Sequence, residues 1–520
     1  MRRGRMLSGS LRGVLVASGL ALALACGGAG RCGHNGAGGT SPGGTSPSGA
    51  TDGSGVGTGG QAPRPDLGDL SQLTDDKADA LAAWLVPYVE RAGGATFTTR
   101  PTGRLGTPDA LAGILATESK DILSRIYDLP PDILERISKQ ERGSVPGLLG
   151  KYATSTGAVY LVPDNVAAMG ASLGDDASAE EVAILIMAHE LGHALQDQVG
   201  DLEHVFDRLE DLDRFDALAG ITEGHANWIT LRVARELDME DAFWILSAGQ
   251  GWNQDGLQEP RAFDIWMRYG QGMAFCEHHA AQGGTDRLWE IVRVPPRSST
   301  MIFRPERYGQ PDRRPEGVSE ALAGVEQALT KTPHWVVADT HLGEAVLRKE
   351  TIGLPQERVD RVLAPVVWGH ERRLFVPAAA SVSPRNASLM LVQFEDSAEA
   401  RELVTLMSDG LESQADARTK AEQELAATFP EAEAREWIVE AAPYDRVKGD
   451  LVIRRIVGPL SAAGSRLASE EEQSIWVVRD NVLVVVSVSG FRPGNRLDKA
   501  VDQLFAQVEA ADLGKKKDEP

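Results

Sequence analysis

Apolar residues recur along this 520-residue chain at two spacings, one helical and one alternating. Ala78, Leu81, Trp84, Leu85 and Tyr88 predict a helix over Asp75–Arg91, because residues three and four apart share one face. Pro87 sits inside that pattern and is expected to kink its last turn or end it early. Ala110, Leu111, Ile114, Leu115, Ile122, Ile126 and Leu129 predict a second helix over Thr107–Leu129. The pair reads as a helical cap over the core that follows, with a removable pro-segment as the alternative. Val182 to Ala188 are apolar without a break, so the helix over Ser178–Gln198 should be wrapped by protein on nearly all sides. Ser178 followed by Glu181 is a capping-box signal for its start. Phe215, Leu218, Thr222, Ala226, Ile229, Val233 and Leu237 predict a further helix over Phe215–Leu237.

Gly157–Val162 reads as a short strand before the Ser178 helix, and after about residue 330 the texture becomes mixed. Thr340–Lys349 reads as a helix, and Trp368–Gly369 with Leu374–Val376 opens a strand region. Leu389–Phe394 and Asp450–Val457 read as strands and Ala398–Leu411 as a helix. Ser474–Val478 and Val482–Val488 flank Arg479-Asp480-Asn481, a hairpin turn. Arg496–Val508 closes with a helical pattern. The expectation is an α+β layer, a sheet with helices on one side.

Length allows two or three domains. The formal net charge of −22 and a pI near 5.0 argue against a nucleic-acid partner, which selects basic surfaces. Arg2, Arg3, Arg5 and Arg12 precede an apolar run from Gly13 to Ala25, too short for a permanent membrane helix. The run ends in L-A-L-A-C at Cys26 and resembles a bacterial lipoprotein signal, with Ala23 where Leu is usual. Ala23-Leu24-Ala25 would also serve ordinary signal peptidase. The chain is therefore expected to be exported, with residues 1–25 removed and Cys26 acylated as a membrane anchor. Residues 26–68 are Gly-, Ser-, Thr- and Pro-rich and read as a flexible tether. Cys32 lies in that tether and Cys276 on a predicted helix, so no disulfide framework is indicated and Cys276 reads as a small core residue.

The chemistry concentrates on three residues within the apolar run. Buried imidazoles and carboxylates cost free energy unless they find partners. His189 and His193 are four apart, so both can point nitrogens at one ion. Glu190 is displaced around the helix, within reach of a metal-bound water. This is H-E-x-x-H, the zinc-protease helix. A third ligand must come from elsewhere, and Glu223, at the edge of the next apolar stripe, is the candidate. Its carboxylate needs a counter-charge, which a zinc ion would supply. Gly170-Ala171-Ser172-Leu173-Gly174 matches the serine-hydrolase elbow G-x-S-x-G, but its flanks lack the strand and helix which that motif needs. It reads as a loop leading into Ser178.

H-E-x-x-H on one helix and a Glu ligand on the next resemble the gluzincin metallopeptidases. H-E-L-G-H-A-L-Q-D-Q, the E-G-H-A helix, Tyr269-Gly270-Gln271-Gly272-Met273-Ala274-Phe275, and Pro295-Pro296-Arg297-Ser298-Ser299-Thr300 through Arg304-Pro305-Glu306-Arg307-Tyr308 extend the likeness. Together they resemble a group of exported bacterial metallopeptidase-like proteins over roughly residues 85 to 310. Ser299 departs from that group's usual Thr. The resemblance implies a mainly helical, zincin-like domain with a short edge sheet over 69–330, followed by the α+β domain over 331–512 and a disordered tail over 513–520. It implies Zn2+ on His189, His193 and Glu223, Glu190 as general base, and Gly157–Val162 as an edge strand that pairs with substrate backbone. Asp197 and Asn227 correspond to residues that orient the ligands in thermolysin-like enzymes, with Asn227 expected to accept from a histidine N–H. His225 and Tyr269 are the nominees for steadying an oxyanion, although His225 also reads as a helix-surface histidine.

The expected function is zinc-dependent peptide-bond hydrolysis by a lipid-anchored peptidase of the bacterial cell envelope, facing the periplasm or the cell surface, with a peptide or protein substrate. Two alternatives stand beside it. One is a catalytically silent zincin-like binding or scaffold lipoprotein. The other is a metal-dependent hydrolase of cell-wall peptide or another amide.

Overall fold

The computed structural model describes residues 63–127, 131, 134–135, 147–250, 260–311, 313–330, 334–376, 385–428, 435–460, 471–490, 494–511 and 513. The signal peptide, Cys26, Cys32, most of the tether and Lys515–Lys517 lie outside the described residues. No helix among the described residues is long and apolar enough to cross a membrane. The chain is a mixed α/β protein with a helical region and a separate antiparallel sheet.

Helix α1 (Asp75–Gly93) starts on Thr74, whose side chain accepts from the Lys77 amide, and stops at Gly94 in the left-handed region at φ 66°. It runs through Pro87 without the early end that was one of the two expected outcomes. Buried Trp84, Leu85, Tyr88 and Val89 flank the proline, and their packing outweighs one lost backbone hydrogen bond. Strand β1 (Thr102–Leu105) leads to α2 (Pro108–Ile126), capped by Thr107. Strands β2 (Gly150–Ala153) and β3 (Ala158–Leu161) complete a sheet of order β1-β3-β2. β3 pairs in parallel with β1 and antiparallel with β2. The Gly157–Val162 strand is therefore central, which corrects the expectation of an edge. Ala158, Val159 and Leu161 are all buried, as a strand flanked on both sides requires. The edge that borders the next helices belongs to β2.

Helix α3 (Pro163–Leu173) carries the G-x-S-x-G match on its last turn, where the Ser172 hydroxyl donates to the Met169 carbonyl. The segment is helical there rather than the expected loop, and Gly170 serves close packing: a Cβ would lie 2.5 Å from Ala179 Cα. Helix α4 (Ala179–Gly200) opens with the full capping box of Ser178 and Glu181. Helix α5 (Leu202–Phe206) links it to α6 (Leu212–Glu236), which starts on the Asp211 side chain. After α7 (Glu240–Gly249), α8 (Pro260–Ile265) passes into a π-helical turn over Trp266–Gln271. Helix α9 (Gly272–Arg293) follows, kinked at Gly283–Gly284, and then α10 (Ser299–Phe303). One core joins α1, α4, α6 and α9, with Leu85, Leu191, Ile229 and Phe275 inside it.

Helices α11 (Val318–Ala323) and α12 (Glu326–Leu329) precede the second region. Strand β4 (Trp335–His341) and α13 (Glu344–Lys349) share the stretch expected to be one helix. Thr340 and His341 finish the strand, and a Cβ on Gly343 would lie 1.9 Å from Asp213 Oδ1, so a glycine precedes the helix there. Helix α14 (Gln356–Leu363), strands β5 (Val366–Val376) and β6 (Arg385–Phe394), and α15 (Ser397–Thr428) come next. Strands β7 (Trp437–Pro443), β8 (Leu451–Pro459), β9 (Glu472–Arg479) and β10 (Val482–Ser489) lead to α16 (Arg496–Ala510). They form an antiparallel sheet of order β4-β5-β6-β10-β9-β8-β7, with the β9–β10 hairpin turning at Asp480.

Helices cover both faces of this sheet, not one. Val482, Val484 and Val486 of β10 pack with α11, α12 and α16, while Leu483 and Val485 pack with α13, α14 and α15. Alternation along a strand sends successive side chains to opposite faces, and β10 is apolar on both. The sheet is fastened to the helical region through polar contacts at the start of α6 and on α8 and α10. His341 N–H donates to Asp211, Ala345 N–H to the Ser299 hydroxyl, and the Lys349 ammonium sits 2.6 Å from Asp264 and 3.6 Å from Asp216.

Candidate metal centre

Helices α4 and α6 touch backbone to backbone because both carry small residues at their crossing. A Cβ on Gly192 would lie 3.3 Å from both Cα and Cβ of Ala226. This approach brings His189, His193 and Glu223 together, with ligand atoms within 4.8 Å of one another. His189 Nε2 lies 3.2 Å from Glu223 Oε2, His193 Nε2 lies 3.3 Å from the same oxygen, and the two nitrogens are 3.1 Å apart. Ligands at about 2.0–2.1 Å from a tetrahedral ion stand about 3.3 Å from each other. The three atoms therefore fit around one ion, and two imidazoles with one carboxylate are a donor set that zinc accepts.

Burial alone would push the Glu223 carboxyl up, but the neighbouring imidazoles of His193 and His189 outweigh it and hold the group down at about 2. Burial likewise opposes charge on His193, and the Glu223 carboxylate overcomes it, so His193 is raised. The cluster is thus a buried anion that draws positive charge to itself.

Glu190 stands outside this ligand set. Its Oε2 accepts from the Tyr152 amide at 2.6 Å, a charge-assisted bond to the outer edge of β2. Gly150 makes that edge fit: a Cβ there would meet Ile186 at 2.6 Å and Glu190 Cγ at 3.2 Å.

Tyr269 reaches the centre through the π-helical turn, a local irregularity frequent at functional sites. It is buried, with its ring 6.0 Å from that of His189. The turn is held by Arg268, which donates to buried Asp216 at 3.2 Å, and by close backbone contact. A Cβ on Gly224 would lie 2.1 Å from the Gly272 carbonyl carbon, and one on Gly272 2.1 Å from the Gly220 carbonyl oxygen. Gly224 and Gly220 on α6 and Gly272 at the start of α9 thus let the two backbones meet.

Three expected roles are corrected. Asp197 accepts from the Tyr152 hydroxyl at 2.7 Å and so fastens β2 to α4 rather than orienting a ligand. Asn227 donates to the Tyr269 carbonyl at 3.4 Å, while its Oδ1 and His189 Nδ1 are both buried without hydrogen-bond partners. The bond expected between Asn227 and a ligand histidine is not formed. His225 is fully buried rather than on the helix surface, with its ring edge-on to Trp289 at 4.8 Å and stacked on Trp228. Burial, followed by the charge of His193, pushes His225 down to about 3. Its contacts are with Gln196 and tryptophans, which suits packing better than oxyanion support.

Gln196 was missed on the sequence. It is fully buried and links His193, Thr222 and His225. Only its place three residues after His193, on the same helix face, could have drawn attention to it. The Pro295–Tyr308 segment has a structural part: the Ser299 amide donates to Asp213 at 3.1 Å and the Tyr308 hydroxyl to the Val294 carbonyl at 2.6 Å. Cys276 is buried and unpaired, and burial raises its thiol.

No protein-family model and no curated protein matches the chain. Among solved structures, the crystal structure of the extracellular domain of PknH from Mycobacterium tuberculosis is similar at 15% identity over 38% of this chain and 96% of that one. Its TM-score of 0.24 carries no argument about fold or function.

Proposed function

We propose that this chain is a gluzincin-like, zinc-dependent peptidase, exported and held to the cell envelope through Cys26 and its tether, acting on a peptide or protein. The observation that carries the reading is the convergence of His189, His193 and Glu223 at 3.1 to 3.3 Å, with Glu190 beside them but outside the set. A zinc ion bound there would supply Lewis acidity that lowers the pKa of a water toward about 7.

Each nearby residue then has a defined task. His189, His193 and Glu223 would hold the ion. Tyr152 N–H fixes Glu190 Oε2, leaving Oε1 to take the proton of the attacking water and pass it to the leaving amine. Asp197 steadies β2 through the Tyr152 hydroxyl. Tyr269, against His189, is the nominee for steadying the developing oxyanion.

The test is a peptide-library digest and a peptidoglycan-fragment digest with the purified full chain and its Glu190→Gln variant. The wild type is expected to cleave peptides, and Glu190→Gln to lose about 10²- to 10⁴-fold of that rate while keeping its zinc. Zinc-loaded wild type that cleaves nothing would point to the scaffold alternative. Cleavage confined to peptidoglycan fragments would point to the cell-wall hydrolase. Unchanged cleavage by Glu190→Gln would remove the assigned base.

A further inference from the structure

We infer that Gln196 is a positioning residue that selects the metal-binding tautomer of His193 and locks the two ligand-bearing helices in register. The inference rests on the zinc-peptidase reading of the site. Gln196 lies on α4, fully buried, with three polar neighbours. Its Nε2 is 2.7 Å from the Thr222 carbonyl oxygen and 3.3 Å from His225 Nδ1, and its Oε1 is 3.0 Å from His193 Nδ1.

These contacts determine one another. A backbone carbonyl only accepts, so the atom facing Thr222 must be the amide NH2. The opposite orientation would set two oxygens against each other at 2.7 Å. With the amide so fixed, its oxygen faces His193 Nδ1, and that oxygen only accepts. His193 Nδ1 must therefore carry the proton, which frees the Nε2 lone pair to point toward Glu223 and His189. The partner of a ligand's second nitrogen sets which nitrogen meets the metal.

By the same logic His225 accepts at Nδ1 and carries its proton on Nε2. The amide thus determines two tautomers at once. It also holds the backbone of the residue preceding Glu223, so the register of α6 against α4 depends on it. A carboxylate at this position could still accept from His193, but it would face the Thr222 carbonyl with a second acceptor and lose the α6 contact.

The experiment compares the full chain with Gln196→Met, Gln196→Glu and Gln198→Met, the last lying on the same helix and bonded to exposed Thr98 and Thr99. Zinc affinity is read by competition with a chromogenic chelator, site geometry from the absorption of the cobalt-loaded protein, and melting with and without zinc. Gln196→Met is expected to bind zinc about 10- to 100-fold more weakly, with an altered cobalt spectrum and a smaller gain in melting temperature from zinc. Gln196→Glu should fall between Met and wild type, and Gln198→Met should match wild type. Wild-type affinity in Gln196→Met, with melting lowered equally in both states, would reduce Gln196 to an ordinary core hydrogen bond and overturn the inference.

A second measurement needs no variant, should Gln196→Met not fold. Histidine-selective nitrogen labelling of the zinc-loaded wild type should show His193 protonated at Nδ1 and metallated at Nε2. The reverse pattern refutes the assignment. A wild type that binds no zinc fails the peptidase reading itself, which is a different result from a variant that binds zinc like wild type.

Discussion

Gly224 adjoins the Glu223 ligand, and its replacement by alanine tests how tightly the site depends on one helix contact. The new methyl carbon would lie 2.1 Å from the Gly272 carbonyl carbon, 2.3 Å from its oxygen and 2.6 Å from the Met273 nitrogen. Carbon atoms prefer separations of about 3.5–4.0 Å, so the overlap exceeds 1 Å by roughly that measure. All three atoms are backbone at the start of α9, and no rotamer change can relieve the clash. Helices α6 and α9 must part, carrying Glu223 and Tyr269 away from each other. Overpacking commonly costs about 1–3 kcal/mol and occasionally more, and a backbone-on-backbone clash belongs at the top of that range. The expected loss is about 3 kcal/mol or greater in urea unfolding followed by tryptophan fluorescence, together with weaker zinc binding. Gly113→Ala on α2 is the control, because nothing lies within 4 Å of its new methyl group. That variant should gain about 0.4–1 kcal/mol. A Gly224→Ala protein as stable as wild type to within about 0.5 kcal/mol would refute the close approach.

Two further predictions concern the junction of the helical region and the sheet. Lys349→Met leaves Asp216 and Asp264 buried with less counter-charge and should cost about 3–5 kcal/mol in chemical unfolding; an unchanged midpoint would show that the cluster is not stabilising. Burial, with help from Asp211, pushes the Asp213 carboxyl from 3.8 up to about 6. A value raised on folding favours the native state fully below about pH 4 and loses that contribution as pH rises through about 6. The wild type should therefore lose on the order of 2–3 kcal/mol relative to Asp213→Asn across that window, read as diverging urea midpoints; parallel midpoints would contradict it.

The parts of the fold that could be read from the chain were those set by local chemistry. The Ser178–Glu181 box appears as a formed cap, and the spacing of His189 and His193 placed both imidazoles on one face. Glu223 was found because a carboxylate beside an apolar stripe demands a partner. The misreadings came from contacts distant in sequence. The edge position of Gly157–Val162 came from likeness to thermolysin-type enzymes, and the pairing of β3 with both β1 and β2 makes it central. Pro87 kept its helix because packing against α4 overrode a local rule. Helices on both sheet faces follow from the doubly apolar β10, whose neighbours on each face lie far apart in the chain. Gln196 carries no charge, and its i, i+3 spacing from His193 is a weak signal, so its part emerges only when Thr222 and His225 arrive on a second helix. Asp197 and Asn227 were assigned by likeness, and each is occupied elsewhere, with Tyr152 and with the Tyr269 carbonyl.

The proposed function requires His189, His193 and Glu223 to form one metal site. The most direct measurement is the zinc content of the purified full chain after dialysis against zinc-containing and then zinc-free buffer, set beside His189→Ala and Glu223→Ala. The expected result is about one zinc per wild-type chain, a melting temperature that falls on chelation, and loss of the ion from both variants. A wild type without zinc, or ligand variants that keep it, would contradict the assignment.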